Sequence, residues 1–225
     1  MPYYPILIDL TGKRVVVVGG GAVAQRKIET LLEYGAIVDV ISRDLTPLLS
    51  KYEEEGKIRL LDLEFGEKAL DGAFMVIAAT DDPGLNHEVS KHARAKGLLI
   101  NAVDQPNDCN FIVPAILRRG ELTIAVSTSG KSPALAKKVR EKLEQSFGSE
   151  YESFLNLMGW LRQEILSRGF SQDKNSRLFH ELVDSPLLYT IGQKDWKKAA
   201  AIINDILQTR YSEGDIMKFA GGHND

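Results

Sequence analysis

The sequence predicts an α/β fold: a doubly wound parallel sheet, then a small α+β region and a helical C-terminal part. Three observations predict it. Short apolar runs alternate with helical patterns from residue 13 to about 113. The first of those runs ends in three glycines, and no strand pattern competes from residue 150 onward. Strands alternating with helices imply right-handed crossovers, hence a parallel sheet covered on both faces.

Val15-Val16-Val17-Val18 is β-branched and stops at Gly19, which reads as a buried strand. Residues 22–34 follow as a helix, with Ala24, Ile28, Leu31 and Leu32 on one face and Gly35 at the C-terminal cap. Ile37 to Ile41 is the second strand. Thr46-Pro47 opens the next helix, with threonine as N-cap and proline in the first turn, closing near Gly56. Ile58 to Leu61 and Met75 to Ala79 are the third and fourth strands. Pro83 to Lys96 is a helix stopped by Gly97, and Leu98 to Val103 the fifth strand. After Pro114 a strand is expected over Leu122 to Ser127 and a helix from Ser132-Pro133 to about Phe147. Helices are expected at 150–168, 174–184 and 195–209, with a frayed tail from Ala220. The expected divisions are residues 1–113, 114–148 and 149–225.

With 225 residues, 44% hydrophobic and 26% charged, the chain has enough apolar content to build a core, which excludes wholesale disorder. A net charge of −3 leaves no general nucleic-acid footprint. Cys109 is the only cysteine, so no internal disulfide forms and no cysteine cluster holds a metal. That usage suits a reducing cytoplasm. The start has no basic n-region, and Val15–Val18 and Phe74–Ala79 fall far short of the roughly 20 residues that span a bilayer. A cytoplasmic protein with no membrane segment is expected.

Gly19-Gly20-Gly21-Ala22-Val23-Ala24 fits the G-x-G-x-x-G/A fingerprint in the setting that gives it meaning, between a first strand and a helix. Gly19 permits a tight turn, Gly21 admits a pyrophosphate close to the backbone, and Ala24 allows tight helix–strand packing. The N–H groups at the helix start then face the phosphates. This is a Rossmann-type site. Asp39 has the spacing of a ribose-binding acid but lies inside the second strand. A ribose contact falls instead to Ser42, Arg43 or Asp44, which leaves NAD and NADP both open. No tyrosine has a lysine four residues on, which excludes short-chain dehydrogenase chemistry. A methyltransferase glycine loop is the weaker competitor.

Ligands of an open parallel sheet bind outside the carboxyl ends of its strands. There the fourth strand offers Ala78-Ala79-Thr80-Asp81-Asp82, whose two acids read as caps for the helix at Pro83. The fifth offers Asn101-Ala102-Val103-Asp104. Asp104 at that edge reads equally as a base that takes a proton when hydride leaves a carbon, or as a turn residue before Pro106. The four histidines have no metal-ligand spacing, and Cys109 reads as a bystander. From Pro114 to Lys142 seven basic residues face two acidic ones, a local net charge of +5. Ser127-Thr128-Ser129-Gly130-Lys131-Ser132-Pro133 adds hydroxyls and a helix start, a combination suited to a polyanion. For Lys137 to Lys142 a solvated helix face is the better reading.

Pro5-Ile6 with Asp9-Leu10, Val17-Val18-Gly19-Gly20-Gly21-x-Val23-Ala24-x-Arg26-Lys27, Ala78-Ala79-Thr80-Asp81-Asp82, Asn101-x-Val103-Asp104, Phe111-Ile112-x-Pro114 and Ala125-Val126-Ser127-Thr128-Ser129-Gly130-x-Ser132-Pro133-x-Leu135-Ala136 together resemble the precorrin-2 dehydrogenase / sirohydrochlorin ferrochelatase family. The resemblance runs over residues 3–145; the helical remainder matches in character only. It implies NAD-dependent oxidation of precorrin-2 to sirohydrochlorin and, in some members, insertion of Fe²⁺ as a substrate. It implies a homodimer built through the middle region, and no nucleic-acid or membrane partner. Carried over, Gly19, Gly21, Ala22, Val23 and Thr80 line the NAD site, with Arg43 and Asp44 at the ribose. Asp104 is the catalytic aspartate. Asn101, Ser127, Ser129, Lys131 and Ser132 belong to the tetrapyrrole side, and no residue is assigned to a resident metal. Some relatives carry a phosphorylated serine where Thr128 stands. The sequence ends before any uroporphyrinogen methyltransferase domain, so methylation is expected on another protein. A dinucleotide sensor without catalysis and a chelatase without redox activity remain as alternatives.

Overall fold

The structure is a computed structural model that describes residues 3–221. Met1-Pro2 and residues 222–225 of the expected tail lie outside the described residues. Two compact units divide the chain at Val113/Pro114.

The first unit is a five-stranded parallel sheet. Its strands are β1 (Arg14–Val18), β2 (Ile37–Ile41), β3 (Ile58–Asp62), β4 (Met75–Ala78) and β5 (Leu99–Ala102). Their spatial order is β3-β2-β1-β4-β5, so the order reverses between β1 and β4. Strand periodicity sorts the four valines of β1. Val15 and Val17 pack with α1 (Ala22–Glu33) and α2 (Pro47–Glu54), while Val16 and Val18 pack on the other face with α3 (Pro83–Ala95). All four are at most 1% exposed. Each such burial contributes about 1.5–3 kcal/mol, which explains an unbroken β-branched run in a sheet covered on both sides. Helix starts follow the sequence. Thr46 accepts a hydrogen bond from Leu49 N and Asp82 from Gly84 N and Leu85 N, each ahead of a proline in the first turn. Capping at Pro83 therefore falls to Asp82; Asp81, read as a partner in that role, makes no such bond.

Asp39, in the middle of β2, is fully buried. Arg14 Nε donates to it at 2.6 Å, and Arg59 Nε and Nη2 donate from β3 at 2.9 Å each. The carboxylate thus ties β1, β2 and β3 together, as its place inside a strand predicted over a ligand role. Asp39→Ala leaves Arg14 without its buried counter-ion, and a loss of about 3 kcal/mol in urea unfolding is expected. A loss below about 1 kcal/mol would show the arginines to be solvated without it.

The second unit begins with an antiparallel hairpin, β6 (Ala115–Arg119) and β7 (Leu122–Val126), followed by α4 (Pro133–Ser146). Its core belongs to α5 (Glu150–Ser167), α6 (Gln172–Asp184), α7 (Leu187–Gly192), α8 (Trp196–Leu207) and α9 (Glu213–Ala220). Three of these elements are absent from the sequence reading. β6 has a turn signal beside it, since Gly120-Glu121 is a two-residue hairpin loop, with Gly120 at φ +55°. α7 is one and a half turns, too short for a periodic signal. α9 carries a legible start, because Ser212 and Asp215 form a reciprocal capping box. Ala220, expected at the head of a frayed tail, instead closes α9 and is buried. No helix among the described residues is long and apolar enough to cross a membrane.

Candidate active site

The reversal between β1 and β4 creates the crevice where open α/β sheets bind ligands. Ala79 N donates to Val18 O at 2.8 Å and Gly19 N to Ile41 O at 2.8 Å, so the chain leaves β1 pinned on both sides. Gly19 then takes φ +120°, and a Cβ there would collide with the Ala79 carbonyl. Gly20, to which the sequence reading gave no role, is equally constrained. A Cβ on it would strike the Asp44 carbonyl and Ser42 Oγ, and its own carbonyl accepts from Thr46 N at 3.0 Å. The two glycines let the loops after β2 and β4 close on the first turn.

Gly21 differs from both. Nothing lies within 4 Å of a Cβ built on it, and it is exposed. It is the N-cap of α1, has no side-chain cap, and no acidic residue follows in the first turn. The helix therefore presents open backbone donors and its positive end to the crevice beside Ala22 and Val23. Those features fit the pyrophosphate of a dinucleotide.

Arg43 and Asp44 follow β2 at this edge. Both are exposed, and the Arg43 guanidinium pairs with Glu64. Ser42 Oγ donates to the Asp44 carbonyl at 2.7 Å, which shapes the loop. Thr80, after β4, is clamped by Asn86. Its hydroxyl donates to Asn86 Oδ1 at 2.8 Å, its N–H donates to the same oxygen at 3.1 Å, and Asn86 Nδ2 donates to the Thr80 carbonyl at 3.1 Å. Asn86 is only 3% exposed, so this buried amide, invisible to motif reasoning, sets the shape of the Thr80 loop.

Asp104 stands beyond β5, on the same carboxyl edge as the glycine loop. It is exposed, and its carboxylate makes no hydrogen bond or ion pair among the described residues. Its φ is +60°, in the left-handed region that costs a non-glycine residue about 1 kcal/mol or more. The loop is stitched down on every side of it. Gln105 Nε2 donates to the Pro83 carbonyl at 3.0 Å and Ser90 Oγ to the Asp108 carbonyl at 2.7 Å. Arg94 Nη2 donates to the carbonyls of Asn107 at 3.0 Å and Cys109 at 2.7 Å. Asn101, read as a substrate residue, spends its amide inside the loop, donating to the Phe111 carbonyl at 3.2 Å and Cys109 Sγ at 3.5 Å.

Lys27, on the second turn of α1, was quoted in the sequence motif without a role. It is half-buried and makes no ion pair among the described residues. Burial, helped by the Arg26 charge beside it, pushes its ammonium below the usual lysine range. Cys109, in the loop after β5, is close enough to interact electrostatically with it.

In the second unit, the segment between β7 and α4 holds the remaining residues, described there by themselves. Ser127 Oγ accepts from Ser129 N at 3.0 Å, and Thr128 Oγ1 accepts from Ser132 N at 3.0 Å. Ser129 and Gly130 both take positive φ, +52° and +78°. Ser132 caps α4 by accepting from Leu135 N, and Lys131 is exposed. Further along, Arg140 pairs with Glu144 and Glu141, and Lys137 approaches Glu141, the ordinary charge ladder of a solvated helix face.

A parallel sheet reversing at β1/β4, with a glycine turn opening onto an uncapped helix start, defines a Rossmann-type dinucleotide-binding protein. Residues 6–115 match the family described as "Putative NAD(P)-binding", and residues 119–146 match "Sirohaem biosynthesis protein central". Together these regions take in more than half of the chain, which belongs to the precorrin-2 dehydrogenase / sirohydrochlorin ferrochelatase family of sirohaem biosynthesis. The chain is 32% identical, over its whole length, to the siroheme synthase of Photorhabdus laumondii, covering 48% of that protein. It is 41% identical over 168 residues, 75% of its own length, to siroheme synthase 1 of Serratia proteamaculans, covering 35% of that relative. It thus spans about half, or less, of the length of these curated relatives. Among solved structures, SirC, precorrin-2 dehydrogenase, is similar with a TM-score of 0.77 and 27% identity, over 92% of this chain and 100% of that one.

Proposed function

We propose that the protein oxidises precorrin-2 to sirohydrochlorin, passing a hydride to NAD⁺ and releasing a proton. The observation that carries this reading is one edge of one sheet. The glycine loop follows β1 there and an unpaired carboxylate, Asp104, follows β5, with β4 between them.

NAD, when bound, supplies the hydride acceptor. Gly21, Ala22 and Val23 hold its pyrophosphate on the open start of α1, Gly19 and Gly20 keep the turn tight enough to admit it, and Arg43 with Asp44 serves its ribose. Thr80, fixed by Asn86, lines the crevice floor. An Asp104 carboxylate oxygen accepts the proton lost as the hydride departs, a type of assistance worth about 10²–10⁴-fold. Precorrin-2 carries eight carboxylates, and Lys27 supplies an unpaired ammonium on the helix beside them. In the second unit, Ser127, Ser129, Lys131 and Ser132 offer hydroxyls and a cation suited to a polyanion. Asn101 acts on it only through the loop it braces.

Residues 114–148 form the dimerisation region in this reading, and 149–225 a helical domain. What supports this is a two-stranded sheet in which no β7 residue is fully buried, with Leu135 of α4 52% exposed. Such a hairpin is marginal alone and gains from a partner. Sedimentation at micromolar concentration should give a dimer of about 50 kDa, twice the 24.9 kDa chain; a monomer at that concentration would refute this part. A cytoplasmic location goes with the single free thiol.

Anaerobic incubation with precorrin-2 and NAD⁺ tests the activity directly. Equimolar NADH and sirohydrochlorin are expected. Tight NAD binding without turnover would mark a sensor. Fe²⁺ insertion into supplied sirohydrochlorin without NAD, in the absence of dehydrogenation, would mark a chelatase.

A further inference from the structure

The chain leaves β5 through a tight turn of four residues, Ala102-Val103-Asp104-Gln105, closed by Gln105 N donating to the Ala102 carbonyl at 3.3 Å. Asp104 is its third residue, at the position where a positive φ is adopted. Glycine or asparagine is the usual occupant there, so an aspartate has to be held by its surroundings.

One side chain touches both ends of this turn. Cys109 Sγ accepts from Ala102 N at 3.2 Å and stands 3.2 Å from the Ala102 carbonyl and 3.4 Å from the Gln105 carbonyl. Its single proton goes to one of these oxygens at a time. Asn101 Nδ2 donates to the same sulfur at 3.5 Å. We propose that Cys109 is a positioning residue, whose thiol clamps the first and last residues of the turn and so aims the Asp104 carboxylate into the crevice. This rests on the reading of Asp104 as the base. It also revises the expectation that the cysteine is a bystander.

Two further facts separate this role from nucleophilic or redox chemistry. Burial pushes the thiol above its usual range, which keeps it protonated and able to donate. The outer loop is anchored independently by Ser90 and Arg94, so losing the thiol loosens the turn without releasing the loop. Displacing a reacting group by about 1 Å costs on the order of 10²-fold in rate.

The test compares Cys109→Ala, Cys109→Val and Cys109→Ser in the full chain, with Asp104→Asn alongside. Steady-state kcat, KM for NAD and thermal melting are measured with anaerobic precorrin-2. The alanine and valine variants should lose about 10- to 100-fold in kcat with KM for NAD and melting unchanged. Serine, which donates and accepts, should recover most of the loss. Valine leaves no cavity, at the cost of one extra methyl group, so it carries the test should alanine fail to fold. Wild-type kcat in alanine and valine overturns the proposal. So does a parallel fall in kcat, NAD affinity and melting that serine does not repair, the mark of a merely structural residue. If Asp104→Asn turns over normally, the base assignment fails and this inference with it. An inactive Asp104→Asn beside fully active cysteine variants refutes the positioning role alone.

Discussion

Asp104→Asn should lower precorrin-2 turnover by about 10²–10⁴-fold while leaving NAD affinity unchanged. The substitution keeps shape, size and tolerance of left-handed backbone, since asparagine adopts φ near +60° at least as readily as aspartate. What disappears is the ability to take a proton. Asp104 makes no side-chain hydrogen bond or ion pair among the described residues, so its replacement breaks no contact, and melting should not move. Single-turnover NADH formation, read with calorimetric NAD titration, separates the two properties. Turnover within a factor of three of wild type would assign the proton to another group, and Lys27 would be the first to examine.

Gly21→Asp should abolish NAD binding and leave the fold intact. A side chain at Gly21 meets nothing within 4 Å, so the carboxylate enters the open space over the helix start. As an N-cap it accepts from the first-turn N–H groups, so melting stays level or rises slightly. Those same N–H groups are the ones a pyrophosphate needs, and the added charge repels it. A loss of at least 10²-fold in affinity is expected by calorimetry. Gly19→Ala supplies the contrast. At φ +120° and against the Ala79 carbonyl, even a methyl costs about 3 kcal/mol of stability, so that variant should lose the fold and the binding together. Retained NAD binding in Gly21→Asp would mean that the dinucleotide does not cross this loop.

The five strands and three helices of the first unit were legible within one or two residues of their ends. Their periodicity is local, and their stops are glycines and prolines that act on the backbone directly. Val15–Val18 and Thr46-Pro47 are the clearest cases. Within the second unit, α7 was illegible because six residues carry too little period, whereas β6 and α9 had turn and cap signals that went unread. Among site residues, Gly19 and Gly21 could be given reasons from the fingerprint alone. Gly20 could not, because its constraint comes from Asp44, over twenty residues away. Asn86 and Cys109 were silent because most of their partners are backbone atoms, which a residue pattern does not reveal.

The sequence by itself determined the class of fold, the glycine fingerprint and the presence of an aspartate after the fifth strand, because each depends on neighbours along the chain. Only the tertiary structure decided that Asp39 is spent on two arginines, that Asn101 braces a loop, and that Asp104 stands unpaired on a strained turn held by a thiol. Those outcomes depend on which strands lie side by side. Hydrogen bonds and ion pairs form between groups brought together by burial, and the order β3-β2-β1-β4-β5 is what brings them together.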